Sequence, residues 1–117
     1  MALTATKMRK NIERHVETSA ANTSLTSSLV MGNAARVLFV TVAYSAAPTQ
    51  AGVTTTLNSG AGAGYDSTLN TGSANARYTN YLPDAELILA EDDALDVTAP
   101  AGGAGITAAI AIYVERL

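Results

Sequence analysis

Residues 36–44, Arg36-Val37-Leu38-Phe39-Val40-Thr41-Val42-Ala43-Tyr44, hold no glycine, proline or carboxylate. β-Branched and aromatic side chains dominate them, which predicts a strand. Strict alternation puts Val37, Phe39, Thr41 and Ala43 on one face and Leu38, Val40, Val42 and Tyr44 on the other. Both faces are apolar, as suits a central strand covered on both sides. A two-layer sandwich leaves the outer face of each sheet in water. Something else, a local loop or a neighbouring chain, is therefore expected against the second face.

Working outward, the same period of two recurs. Ile12, Arg14, Val16 and Thr18 alternate with Glu13, His15 and Glu17; Ser27, Leu29 and Met31 alternate with Thr26, Ser28 and Val30. Val53, Thr55 and Leu57 point inward from 53–58, and strands are also predicted over 65–69 and 76–82. A hairpin is predicted between 86–89 and 94–98, turning at Glu91-Asp92-Asp93. The closing strand, 106–115, places Ile106, Ala108, Ile110, Ile112 and Val114 on one face. Its other face, Thr107, Ala109, Ala111 and Tyr113, is small enough for close packing. Gly-, Pro- and Asn-rich turns separate these runs. The sum is an all-β chain: an antiparallel β-sandwich, jelly-roll-like, of about 8–9 short strands. Residues 12–117 form its one domain. Residues 1–11 read as an extended basic arm, because Leu3, Met8, Ile12 and Val16 do not make a helix-length apolar face.

Composition removes several classes of function. The 117 residues include no cysteine, which excludes disulfides, thiolate metal sites and a cysteine nucleophile. No apolar run reaches the roughly 18 residues of a membrane span, and no secretory signal pattern opens the chain. Hydrophobic residues are 48% and net charge is −3, so disorder is a poor reading. A pI near 4.9 argues against nucleic acid as a partner. The charge is polarised. Lys7, Arg9, Lys10 and Arg14 crowd the start, and Asp84, Glu86, Glu91, Asp92, Asp93 and Asp96 crowd a later segment.

Candidate chemistry is sparse. His15 is the single histidine, and a catalytic dyad or triad needs a base set beside a nucleophile. Flanked by Glu13 and Glu17, it reads as a surface or interface histidine. The carboxylates of 84–96 lack the spacing of a calcium loop and read as a solvated acidic turn; no metal, no cofactor and no catalytic residue is assigned. Gly60, Gly62 and Gly64 lack the Lys-Ser/Thr ending of a phosphate loop. Tyr65 and Tyr81 are candidates for stacking on sugar rings, although tyrosine is also an ordinary half-buried strand residue. The basic residues Lys7, Arg9, Lys10 and Arg14 and the loop tips at Gly62 and Gly103 are the candidate partner-binding positions.

Several stretches resemble a pattern in small virion proteins of tailed bacteriophages and prophages. They are Ser45-Ala46-Ala47-Pro48-Thr49, residues 53–60 (VTTTLNSG), Tyr65-Asp66-Ser67-Thr68-Leu69, residues 81–89 (YLPDAELIL) and residues 93–98 (DALDVT). The chain is similar in kind to capsid decoration (cement) proteins, although Glu91-Asp92-Asp93 stands where a glycine before the aspartate is expected. The resemblance implies a β-sandwich that is not an enzyme and sits on the capsid surface of a virion assembled in the bacterial cytoplasm. Its implied partners are the major capsid protein and copies of itself, as a homotrimer, with no nucleic acid and no membrane. Two other roles are compatible with these residues: a tail, neck or head-fibre component, and a carbohydrate-binding module for adsorption.

Overall fold

In the computed structural model, which describes residues 3–117, the apolar run lies within strand β4 (Ala35–Tyr44). The other strands are β1 (Thr4–Arg9), β2 (Ile12–Thr18), β3 (Leu25–Val30), β5 (Thr54–Asn58) and β6 (Ser67–Thr71). They are followed by β7 (Tyr78–Tyr81), β8 (Ile88–Leu89), β9 (Ala94–Ala99) and β10 (Ala108–Arg116). All pairings are antiparallel and build two sheets. One runs β1-β2-β10-β4-β7, with β8 also paired to β4; the other runs β3-β9-β5-β6. Setting aside β1 and β8, the remaining eight strands, counted in chain order, run 1-8-3-6 in one sheet and 2-7-4-5 in the other.

The core lies between the sheets. Val40, Val42, Ile110 and Ile112 of the first sheet and Leu95 and Val97 of the second are almost wholly enclosed. Burying side chains of this kind contributes on the order of 1.5–3 kcal/mol each. The closing strand carries its large aliphatics inward as predicted, with Ile110, Ile112 and Val114 buried.

β4 departs from strict alternation. Tyr113 pairs with Phe39 but the next residue, Val114, pairs with Val37, so Leu38 is an extra residue in the ladder. This bulge resets the phase of the strand. Val37 and Val40, three apart, are both core residues, while Leu38 and Phe39 are only half-buried. A period of two would have placed Val37 and Val40 on opposite faces.

Three other expectations change. Residues 4–9 of the predicted arm are extended but are paired with β2 as an edge strand, through a turn at Lys10 and Asn11 where Asn11 has φ 70°; Met1 and Ala2 lie outside the described residues. β8 does not form a hairpin with β9. Its residues pair with Ala35 and Arg36 in the first sheet, whereas β9 pairs with β3 and β5 in the second. The acidic turn is thus a crossing between sheets, because Leu89 is wholly buried beside Ala35 while Ala94 begins the opposite layer. His15 is not a surface residue. It pairs across β10 with Ile112, which puts it on the inward face, 8% exposed.

Candidate functional site

Residues directly opposite on neighbouring strands share a face of the sheet. Ile110, Ile112 and Val114 point into the core, so the residues between them on β10, namely Ala109, Ala111, Tyr113 and Glu115, point outward. Their partners complete the outer face. Thr18, Ala109, Ala43 and Tyr78 form one row; Val16, Ala111, Thr41 and Asn80 form the next. Arg14, Tyr113 and Phe39 form a third, and Ile12, Glu115, Arg36 and Ile88 form a fourth. The first two rows are largely small or apolar. The other layer packs on the opposite side; on this one Val16, Thr41, Ala43 and Ala109 are half-buried by their neighbours and Ala111, at the centre, is 7% exposed.

The third row carries the largest side chains. Phe39 and Tyr113 stack with ring centroids 4.1 Å apart. Arg14 lies over the Tyr113 ring and donates from Nε to its hydroxyl at 3.0 Å. Beside this stack, Met8, Arg9, Ile12 and Leu38 join Phe39 and Tyr113 around a cleft of about 270 Å³. The bulge in β4 helps to build this wall, since Leu38 and Phe39 both line it. Met8 is 54% exposed and Tyr78 is 61% exposed, so the face has protruding apolar groups at two corners.

No family model matches this chain, and no curated protein or solved structure does either. What the surface does has to follow from its own geometry.

The sequence-derived positions scatter around the molecule. Lys7 and Arg9 lie on β1, Lys10 in the turn after it, and Arg14 on the outer face. Gly62 and Gly103 lie at opposite ends of the second sheet. The loop holding Gly62 follows Asn58, which pairs with Ala94 at one end of β9; the loop holding Gly103 follows Ala99 at the other. Both have positive φ, +120° and +117°. Tyr65 is 71% exposed in the turn before β6, whereas Tyr81 is half-buried against the core. Burial, and then the charge of Asp84, pushes the Tyr81 hydroxyl to a higher pKa. Tyr65 lies in the turn leading into a strand of the second sheet, and Tyr81 lies on a strand of the first. Val16, Ala109, Ala111 and Tyr113, which make up much of the outer face, do not stand out in the sequence as site residues. The signal that could find them is that β10 and β4 each carry two apolar faces in a chain with one core.

The carboxylates of the acidic segment serve the backbone and neighbouring strands. Asp93 accepts from the N–H groups of Gly60 (3.0 Å) and Ala90 (2.9 Å), which hold its carboxyl below the usual range. Asp96 accepts from Ser28 and Asn58 across β9. Glu86 binds Arg36 at 2.6 Å. Among the described residues no three carboxylate or histidine side chains converge as metal ligands would.

Glu13, His15 and Glu17 form a polar column on the inward face of β2, at the open side of the sandwich. Glu17 accepts from the buried Ser27 hydroxyl at 2.9 Å, which ties β2 to β3 across the two layers. Glu13 accepts from Arg116 and lies 3.1 Å from His15 Nε2. The Arg116 hydrogen bond is the main reason that the Glu13 carboxyl is held below its usual value near 4.5. A carboxylate with a depressed folded pKa contributes stability above the unfolded value, and that stability is lost as pH falls through the folded one. The unfolding midpoint is accordingly expected to drop as pH is lowered from about 5 to about 3. Glu13→Gln should flatten part of that drop, as thermal melts across the range would show. An unchanged acid slope in the variant would mean that the Arg116 pair is inconsequential.

Proposed function

We propose that the chain is a non-catalytic structural module that binds protein surfaces through the outer face of its first sheet. The observation that carries this reading is the face turned away from the second sheet, whose central rows hold small and apolar side chains where a free-standing sandwich would carry charge. Contiguous apolar patches of this kind mark interaction sites. The side chains that would otherwise suggest chemistry are engaged: Asp93 and Asp96 brace turns and strands, and Glu13, His15 and Glu17 clasp the sandwich at its side.

Within that class we infer a phage virion protein, and more narrowly a capsid decoration (cement) protein at the capsid surface. The sequence resemblance supports it, and so does the strand order. Orders of 1-8-3-6 and 2-7-4-5 support a jelly-roll reading, an architecture that recurs in viral capsid domains. Fold alone does not fix a role, so the test must be on particles. Such a protein stabilises a shell because it binds the assembled state and not the dispersed one. Particles assembled without the chain should rupture at a lower temperature and at milder osmotic shock than particles that carry it. Equal robustness would defeat the decoration role, and labelling confined to the tail would replace it with the tail or neck reading.

A further inference from the structure

We propose that the outer face of the first sheet is covered by a second copy of this chain, packed face to face about a two-fold axis that runs along β10. This rests on the docking reading of the face and takes it one step further by naming the occupant.

Shape points to a sheet as the occupant. Two sheets with the same right-handed twist pack aligned with little adjustment, and the best match to this twist is the same sheet in another copy. The rows around Ala43, Ala109 and Ala111 carry small side chains, which leave room for it. Five strand positions at about 4.8 Å and seven residues at about 3.3 Å give a face of roughly 24 by 23 Å. Side-chain relief raises its accessible area above that projected area, towards the roughly 800 Å² per partner of a standard interface.

Charge fixes the orientation. The first sheet is basic at one margin and acidic at the other. Arg9 and Lys10 belong to the β1 margin at the end where Ile12, Glu115, Arg36 and Ile88 form a row, with Lys7 pointing inward beside Glu13. Asp84 and Glu86 lie at that same end, in the connection between β7 and β8 beside β4, while Arg77 lies at the far end of β7. A two-fold axis along the central strand lays β1 of each copy over the β7–β8 margin of the other. The basic margin then meets the acidic one twice, once on each side of an apolar centre. That is the arrangement of a stable interface, with charge at the rim and small apolar residues in the middle. It also closes, since an isologous contact uses the same patch on both copies. The Glu115–Arg36–Glu86 ion pairs sit on the acidic side, leaving the surplus negative charge there to face Arg9. A pairing of β1 edges is disfavoured by like charge, and by the bulge between Lys7 and Arg9 that breaks the edge.

Sedimentation velocity on the isolated chain at about 50 µM, a level at which modest interfaces of this size associate, should show dimer. Ala111→Arg, placed at the centre of the face, should be monomeric with an unchanged circular dichroism spectrum. Arg9→Glu should weaken the dimer about fivefold or more, and adding Asp84→Arg to the same chain should restore it. The chain has no native cysteine, so Arg9→Cys and Glu86→Cys chains can be mixed with a short bis-maleimide. The reagent should join position 9 of one chain to position 86 of the other, and not like to like. A monomer at every concentration, a trimer, a dimer indifferent to the charge changes, or cross-linking between two copies of position 9 would each overturn the proposal. Binding to particles, measured separately, keeps the two readings apart. A chain that is monomeric yet still decorates capsids refutes the second-copy occupant while leaving the decoration reading standing.

Discussion

Replacing Ile112 with alanine is expected to lower the midpoint of thermal unfolding by about 8–20 °C. Ile112 is fully enclosed on the central strand of that sheet, between Val40 on β4 and His15 on β2. Neighbours on both sides are fixed by ladders, so the backbone cannot collapse into the space. Deleting a buried aliphatic under such conditions costs about 2–5 kcal/mol, transfer and cavity together. For a chain of this length each kcal/mol moves the midpoint by roughly 4 °C. Leu82→Ala is the matched control: Leu82 is 67% exposed, and its truncation should change the midpoint by less than about 2 °C. A shift below about 4 °C for Ile112→Ala would mean that the inward side of β10 is not enclosed by the second sheet.

That enclosure was legible from the residues of β10 themselves. Ile110, Ile112 and Val114 alternate with smaller residues, and the pattern is undisturbed because the bulge opposite Tyr113 inserts its extra residue into β4. In β4 the alternation failed for the same reason. Nothing between Val37 and Val40 distinguishes a bulged residue from a regular one, since every side chain there is apolar. The bulge is set by the partner strand, so it is a property of the pairing and not of the segment.

The polar column misled in a different way. Glu13, His15 and Glu17 have the composition of a wet face, and Ile12, Val16 and Thr18 that of a buried one. The reverse holds. β2 lies at the open side of the sandwich, where Ser27 and Arg116 supply partners for inward-facing carboxylates. A buried polar group costs little when it is hydrogen-bonded, so hydrophobicity does not settle the direction of such a strand. The partner that settles it for Glu13 is Arg116, 103 positions away. The candidate surface was hidden by the same inversion. Its composition assigns Val16 to a core, whereas it joins Ala111 and Thr41 on the outside. The excess of apolar residues over what one core can hold was visible; which of them faced outward was not.

The acidic crossing shows how connections escape local reading. Residues 86–98 contain two strand-like runs around a turn, and Asp93 does close a turn onto Ala90. Pairing requires the two runs to be neighbours, and here each is claimed by a different sheet. β8 is only two residues long, too short to hold β9 against the six-residue ladder that β3 offers.

Gly52→Ala should be nearly as damaging as the core truncation, through the backbone instead of a cavity. Gly52 is buried with φ +120°, and a Cβ there would stand 2.5 Å from the carbonyl oxygen of Gly72. The segment is held close at that point, because the N–H of Gly72 is bonded to the Val53 carbonyl at 2.7 Å. Gly72 is itself pressed from behind, since a Cβ on it would meet Thr79 at 2.9 Å. The two glycines let the connection from β4 to β5 touch the one from β6 to β7. Gln50 and Asn75 reinforce the contact, with Gln50 N–H donating to Asn75 Oδ1 at 2.9 Å and Asn75 N–H donating to the Gln50 carbonyl. Strain at such a φ costs about 1–3 kcal/mol by itself, and displacing backbone adds to it. Gly62 separates the two contributions. It has the same φ of +120° but nothing within 4 Å of its absent Cβ. Gly62→Ala should therefore lower the melting midpoint by only about 4–12 °C, and Gly52→Ala by more than about 12 °C. Equal shifts would show that the close approach to Gly72 is not fixed. The location makes the difference more than a matter of stability. Thr79 lies on β7, the outermost strand beside β4, so a wedge at Gly52 pushes on the acidic margin of the first sheet. If that margin carries half of a charged rim, Gly52→Ala should weaken association at temperatures well below its own melting, whereas Gly62→Ala, on the second sheet, should not.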